Sequence, residues 1–333
     1  MPVGDLISAT DYNNIRDKII AVLGIGATNQ GYGQRIQSLA VIGSSTSPTP
    51  NTVSKAQWDQ LRFDIYNTLF HQTGTIPSIT TASVGDVISY GLSNPNNQYD
   101  NLTNTAVVNR FNVGVGQFGE TFSVATGTRT TPWKVSVTAR VTVAFSGGYT
   151  VYQNNGTTRT ATAAEHARHF FNAGGQIKIR SSRTGGAATQ QNNSWSTILT
   201  TAGTQSFGGQ IPRTGFGAAN GDNFHRLDTT PRTYYTTTGS SAYSSNRYSL
   251  LASVNADSSS LFIDVTLDDP YVDPPVGIPP ASSAPVLPED NVDGTLTAIV
   301  DILFPTGILQ PAPAAGNFSL PNPTITIGSF TGS

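Results

Sequence analysis

Aliphatic residues recur at every second position in three separate stretches, and this period of two constrains the fold more than any other feature of the 333-residue chain. Lys134–Phe145 (KVSVTARVTVAF), Gln176–Ser182 (QIKIRSS) and Leu261–Leu267 (LFIDVTL) each place aliphatic side chains on one face, as half-buried strands do. Asn155-Gly156, between Tyr149–Tyr152 and Thr157–Ala161, is a two-residue hairpin signal. One helix is expected among these strands, at Ala163–Asn172 (AAEHARHFFN), closed by Gly174-Gly175. Many short strands with frequent turns predict a mainly β chain, with an antiparallel β-sandwich-like central domain over residues 106–269.

Residues 1–75 carry a different period and an internal duplication. Ile7-Ser8, Tyr12-Asn13, Ile15-Arg16, Ile19 and Leu23 recur 46 positions later as Val53-Ser54, Trp58-Asp59, Leu61-Arg62, Ile65 and Leu69. Spacings of three and four put Tyr12, Ile15, Ile19 and Leu23 on one helical stripe, and Trp58, Leu61, Ile65 and Leu69 on a second. Ser8 and Ser54 occupy N-cap positions, and Gly24 and Gly74 follow as stops. The two helices are expected to pack together with Tyr12 and Trp58 in equivalent core positions. A two-helix DNA reader is the sharper alternative, but Lys55 and Arg62 are offset by Asp59 and Asp64 on the same helix.

The rest of the chain divides by its prolines. Residues 76–105, with Pro77, Pro95 and the run Asn94–Asn97, read as an extended linker. Seven prolines within residues 270–288 (PYVDPPVGIPPASSAPVLP) exclude a helix or central strand and predict a stiff arm over residues 270–290. Beyond it, residues 291–333 hold Thr295–Phe304 (TLTAIVDILF) and Thr324–Phe330 (TITIGSF), a short C-terminal β segment. A tethered strand either adds to a neighbouring subunit's sheet or folds back on its own chain. On the first expectation Ile299, Ile302, Leu303 and Phe304 are apolar anchors between subunits, and a chain lacking residues 270–333 still folds.

Composition narrows the function classes. Only 11% of residues are charged, with four lysines and three glutamates, and the net charge is −2. No broad basic surface is available for phosphate neutralisation, so nucleic acid is not expected as a partner. The chain has no cysteine, which excludes disulfides, thiol nucleophiles and sulfur-ligated zinc. The N-terminus lacks the basic and apolar regions of a secretory signal, and the longest apolar runs, such as Ile19–Ala27, are too short to span a bilayer. No membrane contact is expected. Neutral hydroxyl and amide side chains fill the places that charges usually take, and such surfaces lose water at lower cost when a partner covers them.

Several strings have the outline of a chemical motif. Gly114-x-Gly116-x-x-Gly119 matches a dinucleotide fingerprint, but the following Glu120–Ala125 (ETFSVA) reads as strand where the pyrophosphate would need a helix. Glu165-His166-x-x-His169 places two imidazoles on one helical face without the spacing of a known zinc motif; the simpler reading is a solvent-facing pair. Asp264, Asp268, Asp269 and Asp273 precede the proline arm, and Glu289, Asp290 and Asp293 follow it, a distribution that allows Ca²⁺ without matching an EF-hand loop. Lys178, Arg180 and Arg183 could meet phosphate or simply face solvent. No catalytic residue, cofactor site or metal ligand is assigned on these grounds.

The duplicated segment, ISATDYNNIRDKIIAVLG…GYGQ followed by VSKAQWDQLRFDIYNTLFHQTG, resembles the N-terminal region of virion structural proteins of T4-like, contractile-tailed phages of marine cyanobacteria. The stretch EHARHFFNAGGQIKIRSSRTG, with NSWSTILTTAGTQSFGG after it, resembles a second recurrent element of those proteins. The resemblance covers roughly half the chain and implies a non-enzymatic particle component of the tail, neck or baseplate. It implies copies of the same chain and other virion proteins as partners, localisation in the virion after assembly in the host cytoplasm, and no residue roles to carry over. A capsid decoration protein and a glycan-binding adhesin or tail-fibre module, with a host surface glycan as partner, are the alternatives.

Overall fold

The computed structural model describes residues 9–26, 31–38, 41–43, 53–75, 77, 79, 98–113, 118–153, 155, 157–208, 224–270, 291–305 and 320–333. The chain runs α1 (Ala9–Leu23), α2 (Lys55–Thr73), α3 (Gln98–Val108), β1 (Phe118–Arg129), β2 (Ser136–Ala144), β3 (Thr150–Tyr152), β4 (Thr158–Thr160), α4 (Ala163–Asn172) and β5 (Gln176–Thr184). It continues through α5 (Gln190–Ala202), β6 (Thr204–Gly208), β7 (Arg232–Thr238), β8 (Arg247–Val254), β9 (Ser260–Asp268), β10 (Thr295–Pro305), β11 (Thr324–Ile327) and β12 (Thr331–Gly332).

Two antiparallel sheets form the body. One has the order β1-β10-β5-β6; the other has the order β11-β2-β9-β8-β7, with β12 also on β2. Their alternating residues meet in one core: Val137, Val141 and Val143 of β2 and Ile263 and Val265 of β9 share it with Ile177 and Ile179 of β5 and Val300 of β10. The period-two pattern therefore yields the expected sandwich-like, mainly β domain. The hairpin forms as well, with Thr150↔Thr160 and Tyr152↔Thr158 in register.

The N-terminal helices pack as their stripes predict. Tyr12, Ile15, Ile19, Trp58, Leu61, Ile65 and Leu69 are buried in a second core. Ser54 caps α2 in a reciprocal capping box with Gln57, and Gly74 ends it in the left-handed conformation at φ 70°. Ser8 lies outside the described residues. Residues 98–105, expected as linker, instead belong to α3, whose Tyr99, Thr103 and Ala106 repeat at helical spacing and turn inward. Tyr99 packs on Trp58 with ring centroids 5.1 Å apart, and Lys18 of α1 reaches Asp100 at 2.9 Å. Asn and Thr are poor helix formers, so the local sequence of α3 conceals a helix that tertiary packing selects. A second unexpected helix, α5, follows the same logic: Thr189 caps it, and Trp195, Ile198, Leu199 and Ala202 form its inner face.

The C-terminal segment pairs within its own chain. β10 lies between β1 and β5, with Ala298↔Gly127 on one side and Ile299↔Arg180 on the other. β11 and β12 complete the edge of β2, where Ser333 O accepts from Val135 N and Ser136 N. This corrects the expectation that residues 291–333 supply strands mainly to a neighbour. Period-two alternation marks a strand but does not name its partner, which here comes from far along the chain. Of the proline arm, residues 271–290 lie outside the described residues.

Candidate interaction surfaces and buried polar clusters

The residues with chemical potential are held in the fold's own bonds. Thr162 and Glu165 form a capping box at the start of α4, and Arg159 of β4 grips the Glu165 carboxylate, at 2.7 Å from Nη1 to Oε2. That guanidinium holds the Glu165 carboxyl down at about 2. His166 and His169 then face inward, both fully buried, not outward as expected. Segment 31–33 lies against His169 and Asn172, while Phe145, Ser146 and Tyr149 cover His166. His166 Nδ1 accepts from Ser146 N at 3.1 Å, and His169 Nδ1 is 2.6 Å from Tyr149 Oη. Burial keeps His166 below the usual imidazole range and His169 at about 4, so both are neutral near pH 7. Among the described residues no group of three or more His, Cys, Asp or Glu side chains is placed to hold a metal ion.

A glycine fixes the close approach there. Gly33 has φ +68°, and a Cβ on it would lie 2.2 Å from His169 Nδ1. Around it, Asn172 Nδ2 donates to Gly31 O at 3.0 Å, and His71 Nε2 of α2 sits 2.9 Å from Ala173 O. Tyr32 donates to Arg110 O at 2.7 Å and joins Val22 and Leu23 in the core of the β body. Helical head and β body are thus seamed through buried groups, with His71 pushed down to about 4 by desolvation. On the far side of the head, Arg16 Nε donates to Ser38 O at 2.8 Å, and Asp64 accepts from Ser38 N and Gln37 N at 2.8 and 3.0 Å.

The aspartates and basic residues singled out from the sequence are also paired. Arg140 binds Asp264 with two bonds of 2.7 and 2.9 Å across β2 and β9, and Arg247 reaches Asp268 at 2.9 Å. Asp269 is buried and accepts from Trp195 Nε1 at 3.1 Å and from Gln191 Nε2. Asp293 receives Arg183 Nη2 at 3.2 Å and Ala187 N at 3.1 Å. Arg180 pairs with Asp301, which also accepts Ser123 N at 2.6 Å inside the β1 bulge. Lys178 sits opposite Asp301 in the β5–β10 register. Asp273, Glu289, Asp290 and residues 114–117 of the glycine string lie outside the described residues. Glu120–Ala125, as expected, is strand.

Of the interface candidates, Tyr12 and Trp58 are buried against each other, and Ile302 and Leu303 are buried within the sheet formed by their own chain. Ile299 is half-buried, and Phe304 packs on Phe170 with centroids 5.9 Å apart. Their apolar surface is therefore largely used in cis. Exposed surface of other kinds remains. Phe122 on the β1 bulge and Val135 before β2 are 65% and 61% exposed. β7 closes one edge of its sheet, and among the described residues its strand partner is β8 alone.

Two cavities flank α5, an element whose sequence, QQNNSWSTILTTA, has no charged residue. One, of about 270 Å³, lies against β5 and includes Arg180, Arg183, Ser196 and Thr200. The other, of about 380 Å³, lies between α5 and the turn that follows β7, and among the described residues its lining has no charged side chain. Sequence reasoning missed both because it missed α5; the signal was the cap Thr189 followed by Trp195, Ile198, Leu199 and Ala202 at helical spacing. Comparison with protein-family models, with curated protein sequences and with solved structures finds no match to this chain.

Proposed function

We propose that the protein is a non-enzymatic structural component of a tailed-phage virion, acting in the tail, neck or baseplate through contacts among its own copies and with other virion proteins. The observation that carries this reading is the edge strand β7. Its sequence is RTYYTTT, with Arg232 the sole charged residue, and Thr233, Thr236 and Thr238 are exposed along it. Edge strands of proteins that stay monomeric are commonly guarded by lysine, glutamate or proline, or covered by another element. The bulge between Thr233 and Tyr235 breaks the register at the start of β7, and the part from Tyr235 to Thr238 stays regular. The regular part of this edge, uncharged and rich in threonine, is suited to adding a strand from another subunit.

Two further features support the reading. Exposed Phe122 and Val135 offer apolar area where a partner could land. Many of the chain's scarce charges are spent on pairs within the chain, such as the solvent-facing Arg140–Asp264 and the part-buried Arg180–Asp301. The sequence resemblance to virion proteins of contractile-tailed phages points the same way. Light scattering on the purified full chain tests the role of the edge. Wild type is expected to form a defined oligomer, and the double variant Thr236→Lys/Thr238→Lys to shift toward monomer with its melting temperature retained. A wild-type chain that stays monomeric at high concentration, or a double variant that assembles normally, contradicts this role.

A further inference from the structure

We infer that the 380 Å³ groove between α5 and the turn after β7 is a binding site for a neutral saccharide. Its volume falls in the range of about 300–1,000 Å³ typical of small-ligand sites. One wall is α5, which presents Gln190, Asn193, Thr197 and Thr201; the opposite wall includes Thr238 and Ser241. Ile198 and Tyr243, both almost fully buried, complete the lining. Among the described residues the lining thus offers hydroxyls and amides without a formal charge.

The hydrogen-bonding state of the walls sets the ligand chemistry. Thr197 Oγ1 donates its proton to Asn193 O at 2.9 Å, within the helix. It therefore presents acceptor lone pairs and a methyl group to the groove. The side-chain amides of Gln190 and Asn193 add donors as well as acceptors. A ligand that satisfies such a mixture must carry groups that both give and accept hydrogen bonds, which is what sugar hydroxyls do. A carboxylate, sulfate or ammonium ion would lose hydration here with no opposite charge to compensate it.

The groove is also built in advance. Gly239 donates to Asn246 O at 2.9 Å and Asn246 N donates back across the turn to Tyr243 O at 3.0 Å, tying the turn at both ends. The turn sits close against the helix: a Cβ on Gly239 would lie 3.2 Å from Ile198 Cδ1 and 2.2 Å from Tyr243 O. Rigid walls lower the ordering cost of binding. The groove shares Thr238 with the β7 edge, but saccharide binding does not require assembly, and its failure leaves the assembly reading untouched.

Saturation-transfer NMR on the full chain tests it, with maltohexaose, cellohexaose, chitohexaose and mannohexaose as neutral probes. Alginate and chitosan oligomers serve as charged probes, and a neutral Ser/Thr-rich peptide as the competing class. At least one neutral oligosaccharide should bind in preference to the charged probes and the peptide. Thr197→Arg, an exposed substitution that fills the groove, should weaken that binding about tenfold or more. Thr200→Arg, which faces the other cavity, should bind as wild type does. Circular dichroism establishes that both variants fold. Failure of all four neutral probes, preference for a charged probe or the peptide, or equal behaviour of the two variants overturns the inference.

Discussion

Tyr12 and Trp58, equivalent positions 46 residues apart in the duplicated sequence, meet edge-on with ring centroids 5.5 Å apart and planes at 88°. The two copies of the helical motif thus pack on one another through matching residues, and α3 extends the contact by placing Tyr99 on the other side of Trp58. Aromatic pairs in this geometry contribute beyond the area they bury.

Trp58→Ala should therefore destabilise the chain by about 3–5 kcal/mol, as truncation of buried aromatics does. Chemical denaturation followed by far-ultraviolet circular dichroism measures the change. A midpoint equal to that of wild type would show that the three-helix contact does not support the fold.

The head–body seam has its own probe. Gly33→Ala combines a positive φ with a Cβ directed at His169 Nδ1. The expected cost is about 1–3 kcal/mol, with hydrogen exchange faster along α4 and segment 31–36 than in the β2–β9 pair. Exchange rates raised uniformly, or not at all, would contradict a local seam at this position.

The same seam should respond to acid. Burial holds His71 and His169 at about 4 in the folded chain, below the unfolded imidazole near 6.5. A depressed folded value means that the stability they contribute is present above about 6.5 and is lost as pH falls toward 4. His166, lowered by the same cause, adds to the loss. Asp64 opposes it, because burial raises its carboxyl to about 6 and its protonation on acidification relieves a buried charge. With His225, which burial also holds at about 4, four imidazoles outweigh one carboxyl, so the melting temperature should fall by about 5 °C or more between pH 6.5 and 4.5. His169→Gln should flatten that slope; a melting temperature independent of pH across the window would contradict the account.

The fold class and the first two helices were legible because periodicity reports which face is buried. Tyr12 and Trp58 stand on stripes that any helical reading finds, and Val137–Val143 alternate as a half-buried strand must. The helix α3 was hidden by Asn and Thr, whose weak propensity is overridden when Tyr99 and Ala106 pack inward. The placement of β10 was hidden for a different reason: its partners, Gly127 and Arg180, lie more than a hundred residues away. His166 and His169 were read as exposed because their cover comes from outside α4, from Phe145–Tyr149 over His166 and from Gly33 against His169, contacts that no local pattern encodes.

Removing residues 291–333 should abolish cooperative folding. β1 pairs β10 over its length, and β5 would lose one of its two neighbours. Thermal unfolding of the truncated chain is expected to lose its sharp transition and near-ultraviolet signal. A truncated chain with a wild-type transition would mean that β10 is dispensable, restoring the expectation that it serves a neighbour.

The central claim is membership of a particle, and stoichiometry measures it most directly. On the proposed reading, quantitative peptide counting on density-purified tailed-phage virions whose genome encodes this chain should find it in a fixed ratio to the other particle proteins. That ratio should survive washing in high salt, since few charges are available to hold the contacts. Absence from the purified particles, with the chain recovered only in the soluble lysate, would contradict the account.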